Sequence, residues 1–133
     1  MIKVEKQDFE IKLNLPWPPS VNHLYMRTLR GVFLTQKAKQ YYDNAEMLLR
    51  LNPNRPKAPI CEDVQIEFKA YPPDRRKRDQ DNLEKVLNDS LVKGGILEDD
   101  SLIRRKIIEF FRYNKEYKTR GVDIIITPYV PSV

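Results

Sequence analysis

Seven carboxylates, Asp79, Asp81, Glu84, Asp89, Glu98, Asp99 and Asp100, share a stretch of chain with only two bases, Lys85 and Lys93, which gives it a local charge of −5. Directly before it, Arg75-Arg76-Lys77-Arg78 carries +4, and residues 101 to 120 carry +5. Clustered hard oxygen donors are what Mg²⁺ coordination requires. Cations on either side are what a polyphosphate requires, because a basic surface concentrates and steers anions. The chemistry this charge map can perform is therefore metal-assisted work on a phosphate ester.

Asp79 and Asp81 are two apart, and on a regular helix two such side chains diverge by about 200 degrees. Both can turn toward one point only where the first residue is not yet helical, at a helix start. The helix that must provide this start is legible downstream. Leu83, Val86, Leu87 and Leu91 form an apolar stripe at i, i+3, i+4 and i+8. Asp81, Lys85 and Asp89 lie on another face. Lys93 and Gly94-Gly95 give the helix a cationic last turn and a stop, so a helix beginning near Asp79 is expected. Asp100 then falls on a loop entering the next strand, from which its carboxylate can return to the helix start or to Lys85. A structural alternative explains the same residues: Asp at a helix start caps it, Lys85 pairs with Asp81 at i+4, and Glu98-Asp99-Asp100 is a solvated loop.

The remaining elements follow from periodicity. Phe9 to Leu15 alternates apolar and polar residues and reads as a half-exposed strand, ended by Pro16, Pro18 and Pro19. Residues 16 to 34 are expected to be an irregular, aromatic-rich loop. Thr35 is the expected N-cap of a helix to about Leu51, with Ala38, Tyr41, Tyr42, Ala45, Leu48 and Leu49 at helical spacing. Asn52 to Pro59 is a loop. Val64, Ile66, Phe68 and Ala70 mark a second strand with one buried face, stopped by Pro72-Pro73. Residues 102 to 113 and 117 to 127, separated by Asn114-Lys115-Glu116, read as an antiparallel hairpin. The expected order is β-α-β-α-β-β, an α+β domain with helices packed on a mixed sheet.

At 133 residues the chain is expected to be a single domain spanning residues 1 to 133, long enough for one core. A net charge of +5 and a pI of about 9.3 point to nucleic acid or an anionic membrane surface. Cys61 is the one cysteine, which excludes an internal disulfide, fits a reducing compartment, and is expected to be a buried or half-buried thiol. Met1 to Glu10 lacks the apolar core of a signal peptide, and no run approaches the ~18 apolar residues of a membrane span. A cytoplasmic protein without membrane association is expected. His23 is the sole histidine, which excludes metal sites built on several histidines of one chain, and it reads as a loop residue. Trp17, Tyr25, Phe33, Tyr41 and Tyr42 offer stacking surfaces for unpaired bases, but the loop and the helix stripe that carry them read rather as core or dimer contacts. Of Arg104, Arg105 and Lys106, adjacent on a strand, part is expected to face DNA and part solvent or Asp100.

The segment from Asp74 to Lys85, reading Asp-Arg-Arg-Lys-Arg-Asp-Gln-Asp-Asn-Leu-Glu-Lys, is followed by Asn88-Asp89, Lys93-Gly94-Gly95 and Asp99-Asp100. In this order it resembles the signature of the RusA family of Holliday-junction resolvases. Leu15-Pro16-Trp17-Pro18-Pro19-Ser20-Val21-Asn22 resembles the family's opening motif, and the likeness runs from about residue 11 to residue 129. It implies a homodimeric endonuclease, commonly of phage or prophage origin, that uses Mg²⁺ or Mn²⁺ to cut four-way DNA junctions symmetrically in recombination and repair. By position, Asp79, Asp81 and Asp100 match the family's metal-binding acids and Lys85 its active-site lysine, with Asp99 adjacent. Arg75, Arg76, Lys77 and Arg78 would hold neighbouring phosphates without reading bases. Tyr71-Pro72-Pro73 carries one proline more than the family pattern, and the N-terminus and the Asn52 to Pro59 loop are longer. Two other classes share some of these residues. Pro73-Asp74 with Glu116-Tyr117-Lys118 imitates the Pro-Asp and Glu-x-Lys pattern of restriction-type nucleases, although at too long a spacing. A DNA-binding protein without catalysis would use the same acids only as helix caps.

Overall fold

The computed structural model describes residues 8–20, 23–76 and 83–132. Among the described residues the elements occur in the order β1 (Ile11–Leu15), β2 (Tyr25–Thr28), β3 (Gly31–Leu34), α1 (Gln36–Leu51), β4 (Val64–Tyr71), α2 (Leu83–Lys93), a 3-10 turn (Asp100–Leu102), β5 (Ile103–Phe110) and β6 (Gly121–Pro128). Four strands form one mixed sheet in the order β1-β6-β4-β5. β6 runs antiparallel to both β1 and β4, while β5 runs parallel to β4.

The α+β class with a mixed sheet is as expected from the sequence, but two parts of the topology differ. Residues 103 to 128 do not fold as a hairpin: β4 lies between β5 and β6. Burial explains the exchange. β4 and β6 each bury alternate residues completely, Val64, Ile66, Phe68 and Ala70 on one and Val122, Ile124 and Ile126 on the other, so they take the centre of the sheet. β5, whose alternation is imperfect, takes the edge, with Ile107 exposed. The second difference is a two-stranded hairpin, β2 and β3, within residues 16–34. It follows the prolines, and every residue of β2 is exposed, so no buried alternation marks it.

Both helices cover the same face of the sheet. Thr35 caps α1 as its residue type predicts: its Oγ1 accepts from the Ala38 N–H at 3.1 Å. The same hydroxyl donates to the His23 carbonyl at 2.6 Å, and the Thr35 N–H donates to the Leu24 carbonyl at 2.8 Å, which ties the hairpin base to the helix start. Leu49 and Ala45 of α1 and Leu83, Leu87 and Leu91 of α2 enter the main core against the sheet. Leu48 is exposed instead. A second small core of Leu24, Ala38, Tyr42 and Val86 joins hairpin base, α1 and α2.

The C-terminus of α2 is a Schellman motif. The Ile96 N–H donates to the Leu91 carbonyl at 2.9 Å and the Gly95 N–H to the Val92 carbonyl at 3.1 Å, with Gly95 at φ +74°. Gly94 is required for a different reason. A Cβ there would lie 2.6 Å from Leu49 Cδ1 and 2.8 Å from Leu49 Cβ, so this glycine sets how closely α2 ends against α1. Arg50 adds to the stop by donating from Nη2 to the Lys93 carbonyl at 3.0 Å. Gly94→Ala should therefore destabilise the fold by about 1–3 kcal/mol through overpacking, read as a lower urea midpoint with unchanged slope; an unchanged midpoint would mean that Leu49 moves aside freely.

Candidate active site around helix α2

Helix α2 is the crossover between the parallel strands β4 and β5, and its position decides where each candidate residue lies. Its apolar stripe faces the main core, leaving Lys85 exposed on the opposite side. The Lys85 amine is 3.4 Å from the Tyr25 hydroxyl, to which it donates, and 5.2 Å from the centre of the Tyr25 ring. Tyr25 is 44% exposed on the hairpin. The hairpin is held there by Leu24, fully buried beside Val86 of α2. A lysine on a flexible stem is thus given one aromatic and one hydroxyl contact, which restricts where its charge resides.

Asp100 opens the 3-10 turn that packs against α2, and it is exposed. Its neighbour Asp99 is engaged locally: the Ser101 hydroxyl donates to Asp99 Oδ2 at 2.6 Å. That bond holds the Asp99 carboxyl below the usual carboxylate range. Glu84 pairs with Lys106 of β5 at 3.2 Å. Asp89 accepts from the Tyr42 hydroxyl at 3.2 Å, while the Lys93 amine lies 4.1 Å from the centre of the Tyr42 ring. Burial first, and Asp89 second, push the Tyr42 phenol well above its ordinary value. So Glu84, Asp89 and Asp99 each have a nearby partner that explains them.

Lys77, Arg78, Asp79 and Asp81 lie outside the described residues. Among the described residues no three His, Cys, Asp or Glu side chains gather closely enough to hold a metal ion. Of the expected acids, Asp100 is described and exposed, and its carboxylate is a hard oxygen ligand of the type Mg²⁺ takes. Of the basic run, Arg75 stacks its guanidinium 5.7 Å from the Tyr113 ring centre. Arg76 turns back on Asp74, its N–H donating to Oδ1 at 2.9 Å and its Nε lying 3.8 Å from Oδ2.

Other candidates resolve as structural. Arg105 donates to Gln65 Oε1 at 3.0 Å and to Ser132 Oγ at 2.6 Å, fastening the C-terminal segment, and Lys106 serves Glu84, so of that run only Arg104 projects into solvent without a described partner. His23 is a loop residue 2.8 Å from Ser20 Oγ. Tyr42 is core, and Tyr41 is largely covered and donates to the Pro16 carbonyl at 2.7 Å. Tyr25 and Phe33 remain exposed. Cys61, expected to be buried or half-buried, is exposed, because it sits in the loop that leads into β4 rather than on a packed face. The Tyr25 contact to Lys85 had no sequence signal, since 60 residues separate them.

A protein-family profile described as "Endodeoxyribonuclease RusA" matches residues 16–127. The chain is 32% identical over 91 residues to a "Crossover junction endodeoxyribonuclease rusA" of Enterobacteria phage 82, a match that spans 68% of this chain and 74% of the relative. Proteins named "Crossover junction endodeoxyribonuclease RusA" from Shigella sonnei and from Escherichia coli strain K12 are 32% identical over 94 residues with the same coverage. The sequence matches thus place this α+β chain in a class of proteins described as endodeoxyribonucleases. It belongs to the RusA family.

Two measurements test the geometry. Ser101→Ala should return the Asp99 carboxyl toward the ordinary carboxylate range in an NMR titration. A depressed folded-state value stabilises the fold above the unfolded value and is lost as pH falls through the folded one, so the variant's stability should depend less on pH in that acidic window. Second, Asn88, on α2 and 8% exposed, leaves its buried Oδ1 without a hydrogen-bond partner among the described residues. Asn88→Leu should be neutral or stabilising by about 1 kcal/mol in urea denaturation; a loss of that size would show that the oxygen has a partner in solution.

Proposed function

We propose that this chain is a structure-specific endonuclease that resolves four-way DNA junctions by metal-assisted hydrolysis of phosphodiester bonds, cutting symmetrically as a homodimer. The observation that carries the reading is its membership of a family whose relatives are named crossover junction endodeoxyribonucleases. In support, Lys85 is carried on α2 and the Asp100 turn packs against the same helix. Asp79, Asp81 and Asp100 are assigned as the acids that hold the cation, with Asp99 excluded from first choice because Ser101 already occupies its Oδ2. Mg²⁺ is the expected ion and Mn²⁺ a substitute for it.

The bound cation supplies charge neutralisation at the phosphate and makes a water easier to deprotonate. Lys85 is assigned to the scissile phosphate or to orienting the water, with its amine restrained by the Tyr25 hydroxyl and ring. A preplaced positive charge of this kind lowers the barrier most where charge develops in the transition state. Arg75, Arg76, Lys77 and Arg78 hold flanking phosphates, which fixes register without reading sequence. Two equivalent sites related by a C2 axis suit a junction with paired strands to cut. The expected setting is recombination and repair in the cytoplasm of a bacterial cell or of a cell that carries a phage. No helix of the described residues is long and apolar enough to cross a membrane.

The purified protein should nick synthetic four-way junctions in pairs when Mg²⁺ is added and bind them without nicking when it is omitted. Asp81→Asn should retain junction binding and lose nicking by at least a hundredfold (about 3 kcal/mol of barrier). Full activity in that variant would overturn the site assignment, and binding without any Mg²⁺-dependent cleavage by the wild type would favour a non-catalytic binder.

A further inference from the structure

The loop between β5 and β6 is more ordered than its composition suggests. Beyond the end of β5 the Phe111 N–H donates to the Ala70 carbonyl at 3.0 Å, which extends the ladder with β4 by one residue. The Phe111 ring then stacks on Tyr71 at 4.5 Å and 6°, and Tyr117 packs edge-on against both. Arg120 closes the loop from inside. Its guanidinium donates to the carbonyls of Tyr117, Thr119 and Asn114 and lies 5.3 Å from the centre of the Tyr113 ring. Arg75, from the segment after β4, lies 5.7 Å from the same ring. Two guanidinium groups therefore attend the Tyr113 ring and link the loop to the start of the basic run.

With Arg120 spent on backbone carbonyls, three cations of the loop remain on the outside. Arg112, Lys115 and Lys118 are exposed and form no ion pair with a described residue, and Glu116 is the loop's single acid. A flexible basic loop would bind any polyanion at an ordering cost, whereas this one is already ordered by an aromatic stack and three carbonyl bonds. The Tyr113 ring is engaged by arginines, which leaves it unsuited to stacking on a base.

We propose that residues 111–120, with Arg75, form a preformed ridge that holds the sugar-phosphate backbone of a duplex DNA arm. The assignment rests on the reading of the chain as a DNA-junction nuclease and extends it from Arg75, at the start of the basic run, to the loop between β5 and β6. Arg112, Lys115 and Lys118 make the phosphate contacts, Tyr113 and Arg120 are positioning residues, and the contact is independent of base sequence.

The test is the salt dependence of binding, by fluorescence anisotropy with a plain duplex and with a four-way junction, between ~50 and ~200 mM KCl. The triple variant Arg112→Gln, Lys115→Gln, Lys118→Gln should lower the slope of log affinity against log salt by about two to three, since each phosphate contact contributes about 0.9. Its affinity at ~100 mM salt should fall at least about tenfold. Arg112→Lys, Lys115→Arg, Lys118→Arg should restore the slope, and far-UV circular dichroism should show all variants folded. An unchanged slope overturns the ridge. So does an equal loss in the charge-matched control Lys12→Gln, Lys39→Gln, Lys57→Gln, which would show only an effect of net charge. If the wild type nicks no junction and the triple variant still loses slope, the nuclease reading fails and the ridge stands.

Discussion

The parallel pairing of β4 with β5 is the constraint on which the rest depends. Two parallel neighbours cannot be joined by a tight turn; the chain must cross over through a dozen or more residues, usually with a helix. Here that crossover is residues 72 to 102, and it holds every one of the seven clustered acids. Leu83, Leu87 and Leu91 fix α2 to the sheet by burial worth about 1.5–3 kcal/mol each. Once α2 is fixed, its start follows the end of β4 and the Asp100 turn must lie between its end and the start of β5. The topology thereby fixes Lys85 on α2 and the Asp100 turn packed against the same helix. The antiparallel hairpin expected for the last two strands would have left β5 free of β4 and the turn without that anchor.

Electrostatics then sorts the acids. Like-charged carboxylates in one segment repel, and each must have a counterpart or a function. Glu84 has Lys106, Asp89 has the Tyr42 hydroxyl, and Asp99 has Ser101. These contacts are local and modest, since exposed pairs contribute about 0–1 kcal/mol. Their importance is positional: each holds one carboxylate against a neighbouring side chain, whereas Glu98 and Asp100 are exposed. Tyr42 also shows how the two helices are coupled, because it belongs to the small core with Val86 while its hydroxyl reaches Asp89.

What was legible in the sequence was what periodicity and capping dictate locally. Thr35 as N-cap, the buried alternation of Val64 to Ala70, and the glycine stop after Lys93 all followed from residue type and spacing, because each is decided within a few residues. Strand order was not legible. Val122, Ile124 and Ile126 alternate clearly, but alternation says that one face is buried, not which neighbour lies alongside. The β2–β3 hairpin carries no such signal, because Tyr25, Met26, Val32 and Phe33 are all exposed and the alternation that reports a core is absent. For the candidate site, motif order singled out Lys85 and Asp100 as candidates, whereas the Tyr25 contact is set by Leu24 entering a core 62 residues from Val86 in sequence.

The two halves of the DNA-facing chemistry are built to different tolerances. Hydrolysis requires its groups within about 0.5 Å of a productive arrangement, which favours residues carried on packed elements. Lys85, proposed for that role, is carried on such an element: a helix whose opposite face is buried and whose end is closed by a Schellman motif. Holding a backbone phosphate is more forgiving, because a cation acts through a long-range field and several weak contacts replace one exact one. The cations accordingly lie on connecting segments, after β4 and between β5 and β6, stiffened by aromatic stacking rather than by the core. Since β4 and β5 are parallel, their C-terminal ends, and with them these two segments, are at the same end of the sheet. The strand pairing that requires the α2 crossover also brings the Arg75 segment and the β5–β6 loop to one end of the sheet.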